Sequence, residues 1–201
     1  RGGLLNDTLT ASLGSDTIEG EAGADIIFLD ADATIDYAVY GVSFGKSFDG
    51  FDNIIGFEVG VDQILLDGYV LPDGRVMDGS PDSSVFGDLG GVFSGNLTSK
   101  ASILVVTDSA INANSATLAA DIATALANSF AADGSGTSSD ASGQTLAFSV
   151  KTGRPDQAIV GLWTDTGDGE FQDTELTILA LVDHTPGGFV DFDNFTNAYP
   201  G

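Results

Sequence analysis

The spacing of apolar positions changes several times along the chain. Residues 2 to 28 fall into three consecutive nine-residue blocks, GGLLNDTLT, ASLGSDTIE and GEAGADIIF, with Leu9, Ile18 and Ile27 at the eighth position of each. One large apolar side chain per block predicts a short strand with that residue turned into a core. Asp7, Asp16 and Asp25 hold the sixth position, and Gly14 and Gly23 the fourth, which predicts a tight turn between successive strands.

Beyond the blocks, FDNIIGFEVGVDQILLDG (51 to 68) reads as strand, turn, strand, with Ile54, Ile55, Phe57, Val59, Ile64, Leu65 and Leu66 as core and Gly60 at the turn. Residues 69 to 100 are rich in Gly, Ser, Asp and Pro and predict long loops or a linker. SILVVTD (102 to 108) is a buried-strand pattern. The single helical pattern covers 114 to 132, where Leu118, Ile122, Leu126 and Phe130 recur at helical spacing, Asn114 or Ser115 supplies a cap and Asp133-Gly134 an end. LAFSV (146 to 150), AIVGLWTD (158 to 165) and ELTILALVD (175 to 183) predict further strands. The link between the last two, DTGDGEFQDTE, places Gly169 and Glu175 as an EF-hand loop would, but puts Thr164 and Thr166 at its first and third positions. Those are poor ligands, so the segment reads as a hairpin with a weak calcium site at Asp165 and Asp168, Asp173 being a further candidate.

Charge sharpens this picture. The chain has 30 acidic residues against 6 basic ones, a net charge of −24, and 25 of the acids are Asp. Glu would serve better to solubilise helices, whereas Asp favours turns and is a short, hard oxygen ligand, so the excess points to calcium. A metal-free chain of this charge repels itself, and divalent cations favour its compaction. Nucleic acid and anionic membrane are poor partners for such a surface. With no Cys there is neither a disulfide framework nor a thiolate zinc site. The sequence has no apolar run near a membrane-spanning length, and it starts Arg1-Gly2-Gly3 without Met or a signal-peptide core, as an excised or processed fragment would.

The blocks resemble the G-G-x-G-x-D-x-U-x repeats of the repeats-in-toxin (RTX) proteins, although Leu5 replaces a Gly, and Ala11-Ser12 and Gly20-Glu21 replace Gly-Gly. The segment from 51 to 68 is similar to the stretch that follows the roll in serralysin-type and other RTX C-terminal domains. The resemblance implies a mostly β fold: a short parallel β-roll leading into a β-rich C-terminal domain with one helix. Residues 1–68 would be the roll and its strand cap, 69–100 a loop or linker segment, and 101–201 the C-terminal domain with helix 114–132 and a secretion signal.

In such a roll one block makes half a coil, so Asp7 and Asp25 share an edge, with Asp16 on the other. By the resemblance, Ca2+ lies between the turns 2 to 7 and 20 to 25, held by the Asp7 and Asp25 carboxylates and by loop carbonyls, with Gly2, Leu4, Gly20, Glu21 and Gly23 as the candidate loop positions. Asp16 finds its partner in Asp30 or Asp32, or in a coil before Arg1. Asp52 and Asp62 either cap the roll as ligands or only begin turns.

The order of helix, strand, acidic turn and final strand looks like the C-terminal region of RTX proteins, some of them surface-layer proteins. That implies an uncleaved signal read by a type I exporter, and release to the outside or cell surface of a Gram-negative-type bacterium. The ending FDNFTNAYPG departs from the hydrophobic tail such signals often carry. Calcium would then switch folding. Repulsion keeps the chain unfolded in the calcium-poor cytosol, and binding outside, at the roughly millimolar affinity of extracellular modules, drives it to fold.

No catalytic constellation accompanies these features. His184 is the single His, which leaves neither H-E-x-x-H nor G-x-S-x-G, and as a lone loop His it is expected in solvent. Trp163 and the four Tyr (37, 40, 69 and 199) are too scattered for a carbohydrate platform and are expected in the core or an interface. The expectation is a structural, non-enzymatic module with calcium ions and the exporter as partners, together with self-association or cell-surface polysaccharide, and without membrane insertion. Its two settings are a self-assembling surface layer, filament or matrix, or the non-catalytic tail of a secreted protease, lipase or polysaccharide-modifying enzyme.

Overall fold

A computed structural model of the chain describes residues 1–41, 51–68, 103–131, 145–164, 166 and 170–196. The expected stops for the helix (Asp133-Gly134), the 69 to 100 linker, Tyr69, Tyr199, Asp165 and Asp168 lie outside the described residues.

The isolated apolar residues do make short strands: β1 (Thr8–Thr10), β2 (Thr17–Glu19), β3 (Ile26–Phe28), β4 (Tyr37–Gly41), β5 (Asp52–Phe57) and β6 (Gln63–Asp67). Odd and even strands separate into two sheets, each built by parallel pairing. Thr8 stands beside Ile26, one coil on, and Thr17 beside Tyr37. The stretch 51 to 68 is the strand, turn and strand its pattern predicts, but β5 and β6 do not pair with each other: they lie in opposite sheets and form one more coil. Ile54, Phe57, Ile64, Leu65 and Leu66 are buried, while Ile55 and Val59 are only partly so.

The larger sheet continues without a break into the second half of the chain. Its order is β1-β3-β5-β10-β9-β8-β7, with β7 (Ile103–Ile111), β8 (Thr145–Thr152), β9 (Gln157–Thr164) and β10 (Leu176–His184). β10 runs parallel to β5, antiparallel pairs link β10 to β9 and β9 to β8, and β7 lies parallel to β8. Helix α1 (Leu118–Ala131) falls between β7 and β8 in the chain, as a parallel pair requires a crossover. It starts at Leu118, a turn later than predicted, because Thr117 takes the capping position: its carbonyl receives the first helical bond, from the Asp121 N–H at 2.9 Å.

Strand alternation assigns the two faces of this sheet. Ile103 and Val105 join Ile54, Val160 and Val182 in the core shared with the smaller sheet, and Leu104 and Val106 join Phe148, Trp163 and the helix residues Leu118, Ile122 and Leu126. Trp163 is fully buried, as a core residue should be, and each such side chain stabilises the fold by about 1.5–3 kcal/mol.

The smaller sheet has the order β11-β6-β4-β2, where β11 is Phe195–Thr196. β10 lies on β5 and β11 on β6, both parallel, so the chain from 176 to 196 repeats the path of a coil and seals that end of the roll. No helix among the described residues is long and apolar enough to cross a membrane.

Candidate metal centre

Each block ends its turn on an Asp, and parallel stacking places these Asp residues one above another. On the first edge the Asp7 N–H donates to Asp25 Oδ1 at 2.7 Å, and the Asp25 N–H to Asp52 Oδ1 at 2.9 Å. On the second edge the Asp16 N–H donates to Asp36 Oδ1 at 2.8 Å, and the Asp36 N–H to Asp62 Oδ1 at 3.1 Å. Asp7 and Asp25 thus share an edge and Asp16 occupies the other. Asp52 and Asp62 form the last rungs of the two ladders while also starting β5 and preceding β6.

The partner of Asp16 differs from the sequence expectation. It is Asp36, neither Asp30 nor Asp32, because this coil is longer by two residues: the pair is separated by 20 positions where Asp7 and Asp25 are separated by 18. The added length is taken up in the turn around Ala33, whose φ of 62° is left-handed. Asp32 braces that turn by accepting the Gly14 N–H at 2.7 Å and both the N–H and hydroxyl of Thr34. These bonds, led by that from Gly14, hold its carboxyl below the usual range. Asp30 keeps a buried Oδ1 without a donor among the described residues. Extra residues leave no trace in block spacing until the next strand is known, which is why Asp36 escapes a nine-residue reading.

The middle rungs are the chemically unusual ones. Asp25 is 1% exposed and Asp36 0%, and in each the second oxygen, Oδ2, is buried without a hydrogen-bond donor among the described residues. A buried carboxylate oxygen left unpaired is costly unless a proton or a cation meets it. Burial pushes the Asp36 carboxyl up, and the charges of Asp16, Asp30 and Asp32 push in the same direction. Asp52 rises to about 6, chiefly through burial with the Asp25 charge adding, and its Oδ2 accepts the buried Tyr40 hydroxyl at 3.0 Å. Burial, with Asp52 beside it, also raises the Tyr40 phenol. Asp62 likewise rises to about 6, through burial first and then the charges of Asp36 and Glu58.

The glycines on the first edge make room for oxygen rather than carbon. A Cβ on Gly2 would stand 2.5 Å from the Gly20 carbonyl oxygen and 2.9 Å from Asp7 Oδ2, and one on Gly20 would stand 2.3 Å from Asp25 Oδ2 and 3.1 Å from Asp52 Oδ2. Gly23 packs as closely on the Leu5 carbonyl, and Gly3 bridges Glu21 across the coils. The Leu4 side chain is exposed, so that position would offer only its main chain. No group of three or more Asp, Glu, His or Cys side chains among the described residues is placed to hold a metal. The donor set is therefore a carboxylate pair completed by carbonyls. It is all hard oxygen, which fits calcium and not a transition metal. Asp7 and Asp25 with the Gly20 carbonyl would hold an ion on the first edge, and Asp16 with Asp36 on the second.

Comparison with known families bears directly on these turns. Residues 1–35 match the four-copy family model of the RTX calcium-binding nonapeptide repeat. This part of the chain is an RTX calcium-binding repeat segment. The match ends at the residue before Asp36, the partner of Asp16. Comparison with curated proteins and with solved structures gives no match.

Outside the RTX segment, the structure places two further residues that the sequence singled out. Glu175 is buried and accepts the Trp163 Nε1–H at 2.9 Å and the Thr166 N–H and hydroxyl at 2.7 Å each. Burial alone would raise its carboxyl, but these bonds outweigh that and lower it. His184 is not a solvated loop residue. It ends β10, is buried, and faces Phe189 edge-on, because the closing coil folds over it.

Proposed function

We propose that the chain is a calcium-switched structural module, without catalytic activity, that folds on binding the ion outside the cell and belongs to a self-assembling extracellular surface layer, filament or matrix. The observation that carries the calcium switch is the pair of middle rungs, Asp25 and Asp36, each with a buried oxygen that no donor among the described residues meets. Without cations the roll must bury these carboxylates under a net charge of −24; with them, the same oxygens become ligands and the repulsion falls. Type I export fits this logic, since a chain that stays unfolded where calcium is scarce can be threaded.

The test follows the chain's β-signal by circular dichroism during a calcium titration after chelator treatment. A cooperative gain of structure at roughly millimolar calcium is expected; a fully folded chain in chelator would refute the switch. Electron microscopy with calcium should then reveal ordered sheets or filaments. Persistent monomers would instead favour the tail of a secreted enzyme.

A further inference from the structure

The last rungs of the two ladders are held in different ways. On the second edge backbone groups fix Asp62: its Oδ1 accepts the Asp36 N–H and its Oδ2 the Glu58 N–H at 2.7 Å. On the first edge Asp52 Oδ1 accepts the Asp25 N–H, but Oδ2 accepts the Tyr40 hydroxyl at 3.0 Å. Tyr40 belongs to β4 in the smaller sheet and Asp52 to β5 in the larger, so this bond crosses the core between the sheets.

A phenylalanine would fill the same apolar space as Tyr40, and a hydroxyl in a dry core is costly unless it is bonded. Bonded to a carboxylate, it fixes the direction in which that group faces. Asp52 and Asp25 are both buried, and their Oδ2 atoms both lie against Gly20, where an added Cβ would collide with the first carboxylate and press on the second. Asp25 Oδ2 has no donor among the described residues. Two buried carboxylates brought to one small space repel each other unless a cation stands between them.

We propose that Tyr40 is a positioning residue for calcium: its hydroxyl holds the Asp52 carboxylate beside Asp25, so that the Oδ2 atoms of both meet one ion next to Gly20. Asp52 Oδ2 can take both partners, because a carboxylate oxygen has two lone pairs. Tyr40 and Asp52 lie outside the matched repeat, and nothing in the block spacing marks either as part of a metal centre. A group that orients a ligating side chain sets metal affinity nearly as strongly as the ligand does, typically by about 10–100-fold. The inference rests on the calcium-binding reading of the RTX segment.

Calorimetric calcium titrations of the full chain compare the wild type with Tyr40→Phe, Asp52→Asn and the double variant. Asp52→Asn keeps the shape of the side chain and removes its charge, so it tests the ligand independently of Tyr40. Each single substitution is expected to weaken calcium binding about tenfold or more. In the Asp52→Asn background Tyr40→Phe should add nothing, since its effect runs through that carboxylate. A packing role alone would lower the affinity equally in both backgrounds, and that result would overturn the proposal. So would an unchanged affinity in either single variant, or a Tyr40→Phe chain that stays unfolded in saturating calcium, because the hydroxyl would then hold the core and not the ligand. A wild type that takes up no calcium refutes the calcium reading itself, whereas a wild type that binds no better than its variants loses only this inference.

Discussion

Asp36 carries the second edge as Asp25 carries the first. Both are buried, both accept the N–H of the preceding ladder Asp through Oδ1, and both leave Oδ2 without a donor among the described residues. Asp36→Ala is therefore expected to raise the calcium midpoint of folding as Asp25→Ala does, by roughly tenfold, since ligand charge sets the affinity of such sites. Circular dichroism during calcium titration measures both. An unchanged midpoint for Asp36→Ala alone would confine the ion to the first edge. Asp7, Asp16 and Asp25 were legible from block spacing because each block repeats without insertion. Asp36 was not, because a turn can lengthen without altering the strands it joins.

At the scale of elements, the closing coil does for the ladders what side-chain packing does for the sheets. Asn194 is fully buried and donates Nδ2–H to the Asp62 carbonyl at 3.1 Å, which ties the closing coil to the last rung of the second ladder. Asn194→Ala would leave that carbonyl without its donor in a dry site. A loss of about 1–3 kcal/mol is expected, read as a lower urea midpoint in saturating calcium. Strands β7 to β10 and helix α1 could be placed from their periodicity, since runs of alternating or fully apolar residues report burial directly. Their partners could not: nothing in ELTILALVD marks that β10 lies parallel to β5, far away in sequence.

For the whole molecule, the raised carboxyls at the last rungs of the two ladders tie folding to pH. Asp52 and Asp62 titrate at about 6 in the folded state, above the ordinary Asp value of 3.8. A raised folded value means the native chain binds more protons than the unfolded one. The stabilisation is thus complete below the unfolded value and fades as pH climbs through about 6. In chelator, the folded fraction is expected to be largest near pH 4 and to be lost as pH rises towards 7, and saturating calcium should restore it. A folded fraction in chelator that rises over this range would contradict the burial assigned to the two ladder ends. The sequence by itself determined the repeat, its calcium chemistry and the strand and helix content, because turn residues, acidic ligands and apolar periodicity act within a few residues of one another. Only the tertiary structure decided that β10 and β11 complete the roll, that Asp36 partners Asp16, and that Glu175 and His184 are buried, because each depends on which distant strand comes to lie alongside.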